Sequence, residues 1–135
     1  MGRKLRVYMA GAWVDAKRLA GPRQQLRELG FEVTSEWLDL ALNGKPYEGG
    51  HEKEARRDYA NIDKADFLII DTLSTGTRGG REWEGGYATG RGKRVMRVGP
   101  SIIPFHSVLH KVFPDWESCL TYLATALEHA DVREN

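Results

Sequence analysis

Short apolar runs alternate along this chain with longer segments in which apolar residues recur at helical spacing. Runs of about six residues bounded by turn residues predict β-strands, and nearly continuous apolar runs are typical of strands covered on both faces. The predicted strands are Leu5–Ala10, Phe31–Trp37, Asp66–Asp71, Arg94–Val98 and Val112–Phe113. The third run is the most hydrophobic, so we expect it at the centre of the sheet.

Helical periodicity fills most of the intervals between these strands. The predicted helices are Pro22–Leu29, His51–Lys64, Arg81–Arg91 and a last helix that begins at Pro114-Asp115. Pro22 suits the first position of a helix, and Gly30 suits the position just past its end. An earlier helical piece over Asp15–Ala20 stays open, because Gly21-Pro22 interrupts the pattern. The segment Leu38–Gly50 carries turn signals, and it predicts a long loop of the kind that often forms a lid or a binding loop.

Strands that alternate with helices predict a parallel sheet with helices on both faces. We therefore expect a three-layer α/β/α, flavodoxin-like (Rossmann-like) fold with a five-stranded parallel sheet. The 135 residues are enough for one domain and too few for two ordinary ones, so residues 1–135 are expected to form a single domain.

Composition excludes several classes of function. The 20 basic and 19 acidic residues leave a net charge of +1, which indicates no nucleic acid polymer and no anionic membrane surface as partner. No apolar stretch reaches the roughly 18 residues that span a membrane, and no signal-peptide core follows Met1, so a cytoplasmic location is expected. The single Cys119 is expected to be a buried thiol, and His106 and His110 have no third ligand in view, so no metal or cofactor is predicted.

The stretch with the most chemical content is Gly79–Ala88. It follows the most hydrophobic strand and a loop rich in Ser, Thr and Gly, and it places Glu82 and Glu84 at a helix start. The carboxyl ends of strands in open α/β sheets are where ligands bind. The helix dipole alone also favours acids in a first turn, so both readings of these carboxylates stay open. The same helix carries Gly85, Gly86 and Gly90, each costing about 1 kcal/mol relative to Ala, which indicates close approach of another group.

The loop before this helix contains neither a Walker A motif nor a dinucleotide fingerprint. Arg78 and Arg81 flank two glycines, and such a nest with arginines suits a phosphate or carboxylate, although an exposed loop fits the same residues. Trp37 and Asp71 fall at the ends of predicted strands, where either a pocket or a structural role is in keeping with the pattern.

Four segments together resemble the nucleoside 2-deoxyribosyltransferase family, in particular its short, phage-like members. In that family a Gly-rich loop precedes Glu-x-Gly-x-Ala, and Gly-Lys-x-Val leads into the next strand. The matching segments are Arg78–Ala88 with Gly92–Val95, Val7–Trp13, Asp58–Asp66, and Val98–Pro100 with Phe105-His106. The resemblance spans roughly residues 5 to 117.

The resemblance implies roles for several residues. Glu84 would be the nucleophile that attacks C1′ of a deoxyribosyl group, Tyr8 would hold its carboxylate, and Asp58 would bind the sugar. Trp13 would pack against the base. The expected substrate-binding residues are Gly11, Trp13, Arg78, Gly79, Gly80 and Arg81. The implied partner is a small-molecule deoxynucleoside or deoxynucleotide, no cofactor is required, and a homo-oligomer (dimer or higher) is expected.

One departure keeps alternatives open. Transferases of this family carry an Asp six residues before the nucleophile, where it handles the leaving base, and here that position is Arg78. Glu82 could take over this role, and it is the weaker alternative as nucleophile. Arg78 and Arg81 could instead favour a 5′-phosphate, as in the related deoxynucleoside 5′-monophosphate N-glycosidases, which hydrolyse. A non-catalytic nucleotide-sensing module is the alternative outside catalysis.

Overall fold

The computed structural model describes residues 3–44, 49–74, 79–109 and 111–134. Its strands form a five-stranded, all-parallel sheet in the order β2-β1-β3-β4-β5, which is the flavodoxin-like order. The strands are β1 (Arg6–Ala10), β2 (Glu32–Val33), β3 (Phe67–Asp71), β4 (Arg94–Val98) and β5 (Lys111–Phe113). The predicted α/β class, the five-stranded parallel sheet and the central place of β3 are confirmed.

Five α-helices are described around this sheet. They are α1 (Ala16–Glu28), α2 (Glu36–Leu42), α3 (Gly50–Lys64), α4 (Gly80–Gly90) and α5 (Trp116–Glu134), with 3-10 turns at Trp13–Asp15 and Pro104–Val108. Helix α1 packs against α5, and α3 packs against α4. Because the strand order reverses direction at β1, right-handed crossovers place these two helix pairs on opposite faces of the sheet.

Strand β3 is the centre of the hydrophobic core. All five of its residues are buried, and Leu68 and Ile69 have no exposed surface. Each such side chain contributes about 1.5–3 kcal/mol by leaving water. The core therefore fixes the carboxyl end of β3, where the loop toward α4 begins.

The prediction of a long second strand is wrong. Strand β2 has two residues, and the segment from Glu36 onward, which includes Trp37, is helix α2 rather than strand and loop. Side chains replace the missing strand along the edge of β1. The backbone N–H of Met9 donates to Oγ of Ser35 at 2.6 Å, and the indole N–H of Trp37 donates to the Met9 carbonyl at 2.8 Å. Buried backbone groups need partners, and here two side chains supply them.

Helix α1 begins at Ala16, so the segment before Pro22 that the sequence left open is helical, and Pro22 lies inside the helix rather than at its first position. A proline inside a helix costs about 3 kcal/mol. Leu19 and Leu26 are seven residues apart on one helix face and are fully buried, so core packing outweighs that cost. The end of the helix follows the prediction, since Gly30 adopts a positive φ of 104°.

In the described part of the chain, no helix combines the length and the apolar character that a membrane-spanning segment needs. Cys119 on α5 is buried as expected, and burial raises the pKa of its thiol to about 12.

Candidate active site

A cleft of about 540 Å³ opens at the carboxyl ends of β1 and β3. This is the point where the strand order reverses, so the loops that follow the two strands diverge and leave a crevice. The turn after β1 supplies Gly11 and Trp13, helix α3 supplies Asp58, and the first turns of α4 supply Glu84. The fold thus brings together four residues that the sequence spreads over more than half of its length.

Glu84 and Tyr8 are directly hydrogen bonded at the base of this cleft. Tyr8 on β1 is fully buried, and its hydroxyl donates to Oε2 of Glu84. Burial, and then the negative charges of Glu84 and Asp58, raise the pKa of Tyr8 well above its usual range. Tyr8 therefore keeps its proton and acts as a hydrogen-bond donor, which holds one carboxylate oxygen of Glu84 in place.

Burial and, after it, the charge of Asp58 raise the pKa of Glu84 to about 8, against the lowering effect of the hydrogen bond from Tyr8. Burial also raises the pKa of Asp58 to about 7, followed by the charge of Glu54, while Arg57 lowers it. Two desolvated carboxyl groups that repel each other release their protons in coupled steps. Near neutral pH the pair therefore retains a proton, and one carboxyl can act as acid while the other is ionised.

Two tryptophans form the aromatic wall of the cleft. The rings of Trp13 and Trp37 lie with centroids 6.4 Å apart and planes tilted by 31°. Trp13 is 43% exposed, whereas Trp37 is buried and fixed by its hydrogen bond to Met9. Beside them, a Cβ at Gly11 would lie 2.7 Å from a methyl group of Leu19, so any larger residue here would force that side chain to shift. This wall offers a flat apolar surface to a ring.

Arg81 lines the cleft, but its guanidinium group is bound within the protein. The side chain is buried, and its Nη1 donates to the carbonyls of Asp71 at 3.1 Å and Ser74 at 2.7 Å. Its Nε donates to the carboxylate of Glu82 at 2.5 Å. Arg81 thereby ties the first turn of α4 to the end of β3. The role predicted for it in substrate binding stays a prediction.

Glu82 does not line the described cleft. It contributes instead to two cavities on other sides of α4, where its side chain is 14% exposed. Gly80 lines the cleft, and Gly79 adopts a positive φ of 92° immediately before α4. Arg78 lies outside the described residues, as does His110.

A second compartment of about 390 Å³ adjoins the cleft. Glu54, Asp58 and Glu84 line both spaces, so these carboxylates stand where the two compartments meet. The far wall of the second compartment contains Tyr59 and Trp83, whose indole N–H donates to the Tyr59 hydroxyl at 2.6 Å. The described residues contain no group of three or more His, Cys, Asp or Glu side chains placed to hold a metal ion.

The sequence matches no protein-family model and no curated protein. Its structure, however, resembles solved enzymes. A 2-deoxyribosyltransferase from Bacillus psychrosaccharolyticus superposes with a TM-score of 0.69 and 26% identity, over 85% of this chain and 90% of that one. This similarity supports the resemblance to the nucleoside 2-deoxyribosyltransferase family that the sequence motifs carry.

Two further solved structures share the fold. A CMP N-glycosidase from Clostridium botulinum has a TM-score of 0.61 and 21% identity, over 87% of this chain and 97% of that one. A conserved protein from Enterococcus faecalis has a TM-score of 0.69 and 17% identity, over 87% and 96% of the two chains. At these identities the similarity concerns the fold alone.

Sequence reasoning overlooked Glu54, which lines the cleft and whose charge raises the pKa of Asp58, Glu84 and Tyr8. A signal for it was present, because Glu54 precedes Asp58 by four residues and residues at that spacing share a helix face. Trp37 had been assigned to a strand, and only its place on α2 explains how it reaches the cleft.

Proposed function

We propose that this protein cleaves the N-glycosidic bond of a 2′-deoxynucleoside by covalent catalysis and passes the deoxyribosyl group to another base. The observation that carries the proposal is the Tyr8–Glu84 hydrogen bond in a cleft that also holds Asp58. A positioned carboxylate with a second, protonatable carboxyl group nearby is what retaining glycosidic chemistry requires. The similarity to a solved 2-deoxyribosyltransferase supports the same reading.

In the first step, the ionised carboxylate of Glu84 attacks C1′ from the face opposite the base. The C1′–N bond breaks and its electron pair leaves with the base, through a transition state with oxocarbenium character. The negative charge of Glu84 stabilises the positive charge that develops on the sugar, and the product is an ester between C1′ and the Glu84 carboxylate. The Tyr8 hydroxyl keeps the other oxygen fixed, so the attacking oxygen is oriented before the substrate arrives.

The departing base needs a proton, and we assign this role to Asp58. Burial raises the pKa of both carboxyl groups, so the Asp58–Glu84 pair holds one shared proton near neutral pH. In the reactive form of the pair the proton is on Asp58, and Glu84 is the anion that accepts the hydrogen bond from Tyr8. The role differs from sugar binding, which the family resemblance implied. Glu82 is less suited to it, since it lines other cavities.

In the second step, a nitrogen of an acceptor base attacks C1′ and displaces the Glu84 carboxylate. The proton from that nitrogen returns to Asp58, so the enzyme is restored and the configuration at C1′ is retained. Water can replace the acceptor base, and then the product is free deoxyribose. The Trp13–Trp37 wall provides the stacking surface for the donor and acceptor bases.

The charges of the described lining favour an uncharged nucleoside over a nucleotide. Three carboxylates line the cleft, and the one described arginine in the lining, Arg81, already bonds to two carbonyls and to Glu82. A 5′-phosphate would enter a region of like charge. The alternative, a deoxynucleoside 5′-monophosphate N-glycosidase, rests on Arg78, which is outside the described residues.

The test is to incubate the protein with each deoxynucleoside and each deoxynucleoside 5′-monophosphate, with and without a second free base, and to separate the products by chromatography. A new nucleoside that appears only with the second base supports the proposal. Release of base without transfer indicates a hydrolase, and a preference for the monophosphate indicates the nucleotide N-glycosidase. Binding without any bond cleavage indicates a nucleotide-sensing module and would refute catalysis. The homo-oligomeric state and the cytoplasmic location stay predictions.

A further inference from the structure

The first turn of α4 lacks the features that usually hold the start of a helix in place. Gly79 precedes the helix with a positive φ and provides no side-chain cap, and Gly80 is the first helical residue. Glycine has more backbone freedom to lose than any other residue, so this turn has little order of its own. Within Gly80–Trp83, Arg81 is the buried residue. Glu84, the proposed nucleophile, follows directly after this turn.

Arg81 attaches the turn to the central strand of the sheet. Its Nη1 donates to the carbonyl of Asp71, the last residue of β3, at 3.1 Å and to the carbonyl of Ser74 at 2.7 Å. Carbonyl groups that leave water need donors, and the guanidinium group supplies them here through charge-assisted bonds. The bond from Nε to Glu82 at 2.5 Å stays within α4 and does not link the helix to the sheet.

The hydrogen-bond partner of Glu84 is also fixed in the sheet. Tyr8 on β1 is fully buried, and its hydroxyl donates to Oε2 of Glu84. Strands β1 and β3 are neighbours, and Tyr8 pairs with Leu68 in their register. The bond between Tyr8 and Glu84 therefore depends on where α4 lies relative to these two strands, and Arg81 joins α4 to one of them three residues before Glu84.

The other contacts of this part of α4 act elsewhere. Gly85 is buried against the sheet, but it lies beyond Glu84 toward the end of the helix. Trp83 in the first turn donates to the hydroxyl of Tyr59 at 2.6 Å, and this bond joins α4 to α3 at the surface. Arg81 thus supplies a link to the sheet on the side of Glu84 where the helix begins.

We propose that Arg81 is a positioning residue, whose two carbonyl hydrogen bonds hold the start of α4 against the end of β3 and so keep the Glu84 carboxylate at the Tyr8 hydroxyl. The side chain of Arg81 is 1% exposed, so its guanidinium group presents almost no surface to a substrate although the residue borders the cleft. The effect of Arg81 on rate rests on the proposed function, whereas its effect on the order of α4 does not.

The test compares Arg81→Met with a matched control, Arg97→Met. Arg97 is also a buried arginine that bonds to two backbone carbonyls, those of Gly99 at 2.9 Å and His106 at 3.0 Å, and it does not line the described cleft. Both substitutions remove a buried guanidinium group and leave two carbonyls without that donor, so both should destabilise the protein to a similar degree. We expect the first one alone to disturb Glu84.

The kinetic readout is the change in kcat and in KM for base release. In Arg81→Met, kcat per folded molecule should fall about 10²-fold, the effect of a displacement of roughly 1 Å at a reacting group, while KM stays within about threefold of the parent. Arg81→Lys keeps the charge but replaces the planar fork with a single nitrogen, so kcat should fall about tenfold. In Arg97→Met, kcat should stay within about threefold of the parent.

The second readout is amide hydrogen exchange, which requires no turnover. In an α-helix the N–H groups of Glu84 and Gly85 donate to carbonyls of the first turn. After correction for global stability, they should exchange at least about tenfold faster in Arg81→Met than in Arg97→Met. The amides of Ala88 and Thr89, one turn further on, should exchange alike in the two variants.

An unchanged kcat in both Arg81 variants would overturn the inference. A raised KM with an unchanged kcat would make Arg81 a substrate ligand, and an equal loss of kcat in Arg97→Met would reduce its effect to general destabilisation, so either result also overturns it. If Arg81→Met does not fold, Arg81→Lys decides by the same criteria. If the parent cleaves no glycosidic bond, the proposed function fails. The exchange of the Glu84 amide then decides alone, and equal exchange in the two arginine variants refutes the positioning role.

Discussion

Two acidic sites lie at the carboxyl end of this sheet, and they differ in what surrounds the charge. Asp71 is 1% exposed, and its carboxylate accepts hydrogen bonds from Arg18 at 2.9 and 2.8 Å and from the Trp116 indole at 2.7 Å. The described surroundings of Glu84 are the neutral hydroxyl of Tyr8 and the negative charge of Asp58. The buried charge of Asp71 is compensated, whereas the half-buried carboxyl group of Glu84 faces another acid.

The difference separates a structural carboxylate from a reactive one. A buried acid with an arginine partner is stabilised as an anion, and its removal leaves the partner unpaired. A buried acid that faces other acids is a stronger base than usual and is ready to be paired with a developing positive charge. We therefore expect substitutions at the first site to change stability and substitutions at the second to change rate.

The largest effect is expected for Glu84→Gln, which should lower the rate of base release by at least about 10³-fold, because it removes the proposed nucleophile. Rates are measured by chromatography of the released base. The matched control is Glu82→Gln, which lies two residues away and should retain most of the activity. If Glu82→Gln lost the activity and Glu84→Gln kept it, Glu82 rather than Glu84 would be the nucleophile.

The same variant should be more stable than the parent at pH 8. A carboxyl group whose folded pKa is raised contributes stability that is present at low pH and is lost as the pH rises toward about 8. An uncharged Gln avoids that loss, so the melting temperature at pH 8 should rise by about 4 °C, equivalent to about 1 kcal/mol. An unchanged or lower melting temperature would mean that Glu84 is compensated after all.

Asp58→Asn should lower the rate by about 10²–10⁴-fold, since general acid catalysis contributes an effect of that size. The loss should shrink for a deoxyriboside with a nitrophenolate leaving group, which needs no proton to depart. Comparison of the two substrates in parent and variant measures this. An equal loss for both substrates would return Asp58 to the sugar-binding role.

Asp71→Ala should destabilise the protein by about 3 kcal/mol, because Arg18 and the Trp116 indole lose their buried acceptor. Urea unfolding gives the change, and the rate per folded molecule should stay close to that of the parent. The control is Asp39→Ala, at an exposed carboxylate paired with Arg23, which should cost less than about 1 kcal/mol. A similar loss at both positions would remove the distinction between the sites.

The smallest effect is a shift of the pH profile in Glu54→Gln. In the proposed mechanism, activity needs a singly protonated Asp58–Glu84 pair, so kcat/KM of the parent should rise up to about pH 7 and fall above about pH 8. Glu54 raises the pKa of both groups, and its neutralisation should move both limbs to lower pH, by about 0.5 unit. If both limbs of the pH profile were unchanged in Glu54→Gln, Glu54 would not influence the pKa of Asp58 or Glu84.

Local sequence patterns predicted an element correctly where the burial of apolar side chains alone determined it. The apolar run of β3 and the periodicity of α3 predicted both elements closely, because burial on both faces and on one face leave distinct signatures. Local patterns predicted the wrong element for part of residues 31–37, and they did not decide whether the first helix extends before Pro22. The structure of residues 31–37 depends on hydrogen bonds from Ser35 and Trp37 to the backbone of Met9, which is distant in sequence. The helix around Pro22 depends on the hydrophobic core in which Leu19 and Leu26 are buried.

For the candidate site, the resemblance of the sequence motifs to a known family pointed to Glu84, Tyr8, Asp58 and Trp13, and their roles stay predictions. Only the tertiary structure decided that Tyr8 donates to Glu84, that Arg81 is bound within the protein, and that Glu54 belongs to the cleft. Desolvation and coupling between charges depend on distances across the fold, and these distances are set when β1, α3 and α4 pack together. The sequence therefore determines which chemical groups are present, and the packing of the fold sets their pKa values and hydrogen bonds.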